Sequence, residues 1–355
     1  MSIMMPKRMT RWAVGALAAG VMASVQAGTT QADSRLCLAA TAPSASALLS
    51  TVSHPPSAQP QAIPVMHTEG TLPHQGIYDI SNAARRDFSY MRDLALAWHM
   101  AGDATSLSRL ATYLDAWTTT YRLSFNPIDE TSLDGLIDAY QLTHDALPTA
   151  TQARTRRFLN ELTTGYLQQM QAHQQDKRGT WTNNWQSHRV KLVTMGAAAL
   201  GDAHLMAAAQ EAFIHQLNAN IHPDGEVLDF SQRDALHYVV YDLEPLVRAA
   251  LAARTQGRDW LDLKGAEGQS LRGALAWLSP YADGVRTHQE FARTTVKFDI
   301  ARRQAGVAGF DGIWPAKTAS ALYWSASLLD TRYLETARKL NATPPRWLWA
   351  AVSCR

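Results

Sequence analysis

The chain has 355 residues, with 33 Lys and Arg against 31 Asp and Glu and a formal net charge of +2. That balance, without a strong basic patch, excludes nucleic acid as an expected partner but leaves room for a local cationic cleft that takes an anionic polymer. The two cysteines, Cys37 and Cys354, make no metal or redox motif.

The N-terminus reads as a targeting segment. Lys7, Arg8 and Arg11 form a basic head, "WAVGALAAGVMASV" is an apolar run too short to span a bilayer, and Val25-Gln26-Ala27 fits a small-x-small cleavage site. Residues 1–27 are therefore expected to be a signal peptide, which places the mature protein in the periplasm or outside the cell, without a membrane anchor once the signal is removed. In an exported protein Cys37 and Cys354, near the two mature termini, are expected to form a disulfide; two free thiols are the alternative.

Residues 28–75 are rich in Ser, Pro, Ala, Thr and Gln and read as a loop-rich segment. From there to residue 355 the pattern is that of one helical domain. "RRDFSYMRDLALAWHMAGD" carries an apolar stripe and stops at Gly102-Asp103, a natural C-cap. "TSLSRLATYLDAWTTTYR", "SLDGLIDAYQLTHDAL" and "TQARTRRFLNELTTGYLQQMQAH" continue the helical period, and "HRVKLVTMGAAALGD" reads as a buried helix. "DAHLMAAAQEAFIHQLNANI" runs to a turn at His222-Pro223-Asp224-Gly225, and Pro245 should kink or restart the helix that follows. "QSLRGALAWLSPYADG" and "KTASALYWSASLLD" complete the set. No segment alternates with period two. Helical hairpins joined by short turns predict an all-α fold, an incomplete (α/α) toroid with a cleft at one rim.

Two clusters stand out. "TNNWQSHR" loads amides, an imidazole and a guanidinium onto the start of an apolar helix. One of Thr182, Asn183 and Asn184 is expected to cap it. Asn184 and His188 are four apart and share a face, near a helix N-terminus that favours a carboxylate; a satisfied structural cluster is the alternative. In "SQRDALHYVVYDLEPL", Arg233, His237 and Tyr241 are spaced four and four and predict one polar helical stripe, with Tyr238 on an adjacent face. Arg, Tyr, Asn and His together suit β-elimination on a uronic acid polymer. The C5 proton is weakly acidic until the neighbouring carboxylate is neutralised, which Asn, His and Arg do; a Tyr then serves as base and acid if nearby cations lower its pKa. No metal or organic cofactor is needed.

These residues resemble the alginate lyase superfamily of helical-toroid polysaccharide lyases, in "NNWQSHR" and in two tyrosines three apart followed by Leu-x-Pro-Leu. "HTEGTLP", "NPIDETSLDGLIDAYQL" and "KFDIARRQAGVAGFDGIWP" are similar too, so the resemblance spans roughly Met66 to Leu329. It implies Tyr241 as catalytic, with Tyr238 second, Asn184 and Arg233 neutralising the carboxylate, and His188 assisting. The chain departs from the best-known members in two places: Trp185 follows the Asn pair where they carry His, and Asp234 holds the spacing at which they carry Arg. Those departures resemble a side branch that acts on mannuronan or glucuronan. For such sugars H5 and O4 lie on one face, so a single Tyr can be base and acid; for guluronate His188 would have to be the base. Glu130, Trp181, Trp185, Arg189 and His237 are further candidates for substrate binding, whereas Arg85 and Arg86 read as solvated. Two other functions remain open at this point. A glycoside hydrolase would need a carboxylate pair, such as Asp224 with Glu226 or Glu130 with Asp134. A non-catalytic exopolysaccharide-binding protein would not need Tyr241.

Overall fold

A computed structural model describes residues 43–177 and 179–351. The segment expected to be a signal peptide and the expected pairing of Cys37 with Cys354 lie outside the described residues.

Short turns with complementary caps set the helices. α2 (Tyr78–Ala101) ends at Gly102 in the left-handed conformation with φ 68°, and the next residue, Asp103, accepts a hydrogen bond from the Ser106 N–H to open α3 (Ala104–Thr120). The same device recurs further on. α7 (Asn184–Leu200) ends at Gly201, φ 64°, and Asp202 caps α8 (Ala203–Asn220) by accepting from the His204 and Leu205 N–H groups. Each Gly-Asp pair thus closes one helix and opens its antiparallel neighbour.

The remaining helices are α1 (Ala45–Val52), α4 (Pro127–Glu130), α5 (Asp134–Thr143), α6 (Thr149–Ala172), α9 (Leu228–Arg233), α10 (Leu236–Thr255), α11 (Leu271–Ala282), α12 (Lys297–Gln304), α13 (Ser320–Ser327), α14 (Leu334–Leu340) and α15 (Leu348–Ala351). α1 falls inside the stretch read as loop; Ser44 caps it, and Leu48 and Val52 are buried. Among the described residues the only strand-like pairings are two isolated bridges, Ile221 with Val227 and Gln289 with Ile313.

α2, α5, α7, α10 and α13 pack side by side in that order, while α3, α6, α8, α11 and α14 pack on their outer sides. This double layer is the all-α (α/α) toroid expected from the hairpin pattern. α15 packs back on α2 and α5. α7 is buried on nearly every side, so its polar residues must find partners inside. α10 runs unbroken through Pro245, with one consequence: proline has no N–H for the carbonyl four residues back, which belongs to Tyr241.

α2 and α5 touch closely at Gly135, where a Cβ would stand 2.6 Å from the Phe88 carbonyl oxygen. Gly135→Ala should therefore push these two inner helices apart and cost about 1–3 kcal/mol in denaturant unfolding. A variant of unchanged stability would show that the contact yields freely.

Candidate active site

The inner helices surround a cavity of about 260 Å³. His188 and Tyr241 face each other in it, from α7 and α10, with ring centroids 4.4 Å apart.

Asn183 is the residue that caps α7, accepting from the Trp185 N–H at 3.1 Å. Asn184 is thereby freed for another role, but it is anchored: its backbone N–H and its side-chain Nδ2 both donate to Asp229, at 2.8 and 2.5 Å. One amide N–H remains for a ligand. Burial pushes Asp229 up to about 6, against the hydrogen bonds from Asn184. Burial and the neighbouring Asp229 together raise Asp242 well above the usual carboxylate range. Asp242 accepts from Ser187 Oγ at 2.7 Å, so two acids brace the first turn of α7 from below.

The protonation of His188 can be assigned from its network. Lys191 Nζ donates to the Thr131 carbonyl, to Thr131 Oγ1 and to Asp134, at 2.8, 2.8 and 2.7 Å. Thr131 Oγ1 lies 2.7 Å from His188 Nδ1. Lys191 can only donate to Thr131 Oγ1, and His188 Nδ1 is the one acceptor within reach of that hydroxyl among the described residues, so the threonine gives its proton to Nδ1 and the imidazole carries its own proton on Nε2. Burial, and next the charge of Lys191, hold the His188 pKa well below its ordinary value. The ring is neutral and offers Nε2–H as a donor. The Tyr241 carbonyl released by Pro245 acts on this ring, although no well-formed hydrogen bond reaches Nε2, which is buried.

Tyr241 does not meet the expectation of a lowered pKa. Burial raises it, and the opposing pull of Arg85 and then Arg302 does not reverse that. In the free protein Tyr241 is a phenol.

Arg233 and Tyr241 do not share one helical stripe. Asp234 adopts a left-handed conformation, φ 53°, which ends α9 and separates it from α10. The Asp234 carboxylate is fixed by the Arg293 N–H at 2.7 Å and its guanidinium at 2.9 Å. The break swings Arg233 onto the face of Tyr238, 3.9 Å from ring centroid to guanidinium. Arg233 pairs with Asp299 through Nε and Nη2, at 2.6 and 2.5 Å, and donates to the Tyr238 hydroxyl at 2.6 Å. Arg302 donates to the same hydroxyl at 2.8 Å, and the hydroxyl donates to Asp299 at 3.2 Å. Burial pushes Tyr238 up to about 12 despite these two cations. Tyr238 and Tyr241 stand 6.5 Å apart, edge to face, so this clasp adjoins the cavity. His237 packs beside it against Tyr238, Phe291 and Phe310; burial, and next Arg302, bring its pKa down to about 4. It is a neutral ring and binds no carboxylate by charge.

Several expected contacts are corrected. Glu130 is not at a cleft rim: it is fully buried, accepting from Tyr121 at 3.0 Å, Tyr166 at 2.5 Å and the Ser124 N–H at 2.6 Å. Arg189 points away from the cavity, 3% exposed, its guanidinium 3.7 Å over the Trp181 ring. Trp181 is held between Arg189 and a stacked His173, centroids 4.0 Å apart. Trp185 is half-buried on the first turn of α7. Arg85 is not solvated; its side chain is 18% exposed and donates to the carbonyls of Ile128 and Asp129. Asp224 lies exposed in a turn, and Asp134 is tied to Arg92 and Lys191, so neither proposed carboxylate pair stands free over a cleft.

Sequence reasoning passed over Thr131, Lys191, Asp299 and Arg302. Lys191 carried a signal, as a lysine within an apolar helix one turn from His188. Asp299 and Arg302 lie in the segment KFDIARRQAGVAGFDGIWP, which resembles the family, but they reach the site from more than fifty residues downstream and no local spacing tied them to it. Among the described residues no three His, Cys, Asp or Glu side chains gather as a metal site would require, and no helix is long and apolar enough to cross a membrane.

The family described as Alginate lyase matches this chain over residues 29–288. Among solved structures, an alginate lyase from Bacteroides ovatus aligns with a TM-score of 0.62 at 18% identity, covering 88% of this chain and 93% of that one. Alginate lyase A1-III from Sphingomonas species A1 gives 0.51 at 18% identity, covering 71% and 73%. A histidine-to-alanine variant of A1-III complexed with a tetrasaccharide gives 0.52 at 19%, covering 71% and 72%. At such identities the likeness is one of fold. No curated protein sequence matches.

Proposed function

Because this chain belongs to the alginate lyase family, matched over residues 29–288, we propose that it cleaves a mannuronate- or glucuronate-containing polymer by β-elimination. In this reaction the C5–H and C4–O4 bonds break, a C4=C5 double bond forms, and the proton from C5 is delivered to O4. The free amide N–H of Asn184 and Nε2–H of His188 meet the substrate carboxylate, and Arg233 holds Tyr238 beside it. Tyr241 takes the C5 proton as phenolate and returns it to the leaving O4. The observation that carries this reading is the occupied Nδ1 of His188, 2.7 Å from Thr131 Oγ1. A neutral imidazole with its proton on Nε2 is a donor and not a base. That leaves Tyr241 to act alone, which requires H5 and O4 on the same face of the sugar, as in mannuronate and glucuronate. The signal-peptide reading of residues 1–27 makes the periplasm or the medium the proposed place of action.

The test is a panel of polymannuronate, polyguluronate, alginate and glucuronan, each with chelator, followed by the ultraviolet absorbance of the unsaturated product. Polymannuronate or glucuronan should be the best substrate and polyguluronate the poorest. A preference for polyguluronate would overturn the assignment of roles. Since the charges of Arg85 and Arg302 act on Tyr241, Lys191 lines the same cavity and the substrate is a polyanion, KM should rise several-fold between low salt and about 0.5 M NaCl with kcat little changed. A salt-independent KM would place the polymer elsewhere.

A further inference from the structure

On one side of Tyr241 lie Tyr238, Arg233 and Arg302, partly open to solvent. On the other side the cavity continues. Its α10 wall descends from Tyr241 through Glu244 to Arg248, seven residues or about 10 Å of helix. A belt of ion pairs lines this part of the cavity. Lys191 and Arg92 both bind Asp134 at 2.7 Å, Arg92 binds Asp138 at 2.7 Å, and Asp138 binds Arg248 at 2.8 Å. The guanidiniums of Arg92 and Arg248 lie over the ring of Trp347, 5.6 and 4.8 Å from its centroid. Parting this belt for a passing chain would strand buried charges. The cavity volume of about 260 Å³ is on the scale of one sugar unit and not of several.

The walls are also built for a polar occupant. His188 Nε2, Ser132 Oγ and Arg248 Nε are buried without hydrogen-bond partners, and all three residues line this cavity. His188 and Arg248 are 3% and 6% exposed. An imidazole N–H and a guanidinium N–H suit the carboxylate and ring oxygens of a uronate, with Glu244 placed to accept from its hydroxyls.

We propose that this pocket receives a single terminal uronate, so that the enzyme trims its polymer from an end and releases one sugar per elimination. The proposal rests on the lyase reading above. It is tested by following absorbance, viscosity and product size together while the wild-type protein digests its best polymer. A monosaccharide should accumulate from the earliest time points, with viscosity falling only in proportion to the sugar released. A ladder of oligosaccharides, with viscosity collapsing after the first few per cent of bonds, would overturn the proposal and leave the lyase reading intact. Absence of the unsaturated product on every polymer would instead defeat the lyase reading. Trp347→Ala removes the ring behind the belt and should lower the monosaccharide share at least several-fold in favour of longer products. An unchanged share in a folded variant would count against the pocket, and the wild-type product profile decides the matter if that variant does not fold.

Discussion

Tyr241→Phe is expected to lower kcat by about 10³-fold, the usual worth of a positioned acid–base group, with KM and thermal midpoint close to wild type. The substitution removes an oxygen and leaves the ring packed against His188 and Tyr238. A pH profile adds a second, independent reading. Burial raises the Tyr241 pKa, so the phenolate that takes the C5 proton is scarce in the free protein near neutral pH. The sign follows directly: kcat/KM should climb with pH, by roughly tenfold per unit, as the phenolate is populated. The residual activity of Tyr241→Phe should lose that dependence. If Tyr241→Phe retains activity while Tyr238→Phe does not, the acid–base role passes to Tyr238.

Asp299→Ala should have the largest effect on stability, a loss of about 3 kcal/mol by denaturant unfolding, because it removes the buried partner of two arginines. Asp299 is fully buried, while Arg233 and Arg302 keep some access to water, which limits the loss. The same change unfastens Tyr238, whose hydroxyl sits among Arg233, Arg302 and Asp299. Activity should fall with stability, and Asp299→Asn, which keeps an acceptor, should restore part of both. Equal stability of Asp299→Ala and wild type would mean that the clasp is held by other contacts.

The hairpins were legible because their signals are local. Gly102-Asp103 and Gly201-Asp202 each bring a left-handed cap and an acceptor for the next helix, and both can be read from two letters. Spacing put Asn184 and His188 on one face; His188 lines the cavity beside Tyr241, while Asn184 is bound to Asp229. The break at Asp234 was not. Its left-handed turn is held by Arg293, by the Phe291 N–H at 2.8 Å and by His288 at 3.0 Å, all from a distant segment, so periodicity ran Arg233 and His237 into one stripe. Glu130 and Arg189 misled for a related reason. A charged residue reads as surface unless its partners are known, and theirs are Tyr121, Tyr166 and Trp181, brought in by tertiary packing. The pKa of Tyr241 failed as a local expectation as well, since burial by the surrounding inner helices outweighs the nearby cations.

β-Elimination is tested most directly by digesting the preferred polymer in water enriched in heavy oxygen and weighing the products by mass spectrometry. Elimination breaks the C4–O4 bond without adding water, so each new non-reducing end should carry a C4=C5 double bond, and no water should be added at cleavage beyond the slow solvent exchange of the anomeric oxygen. Products one water heavier, with heavy oxygen incorporated at each cut, would show hydrolysis and contradict the account.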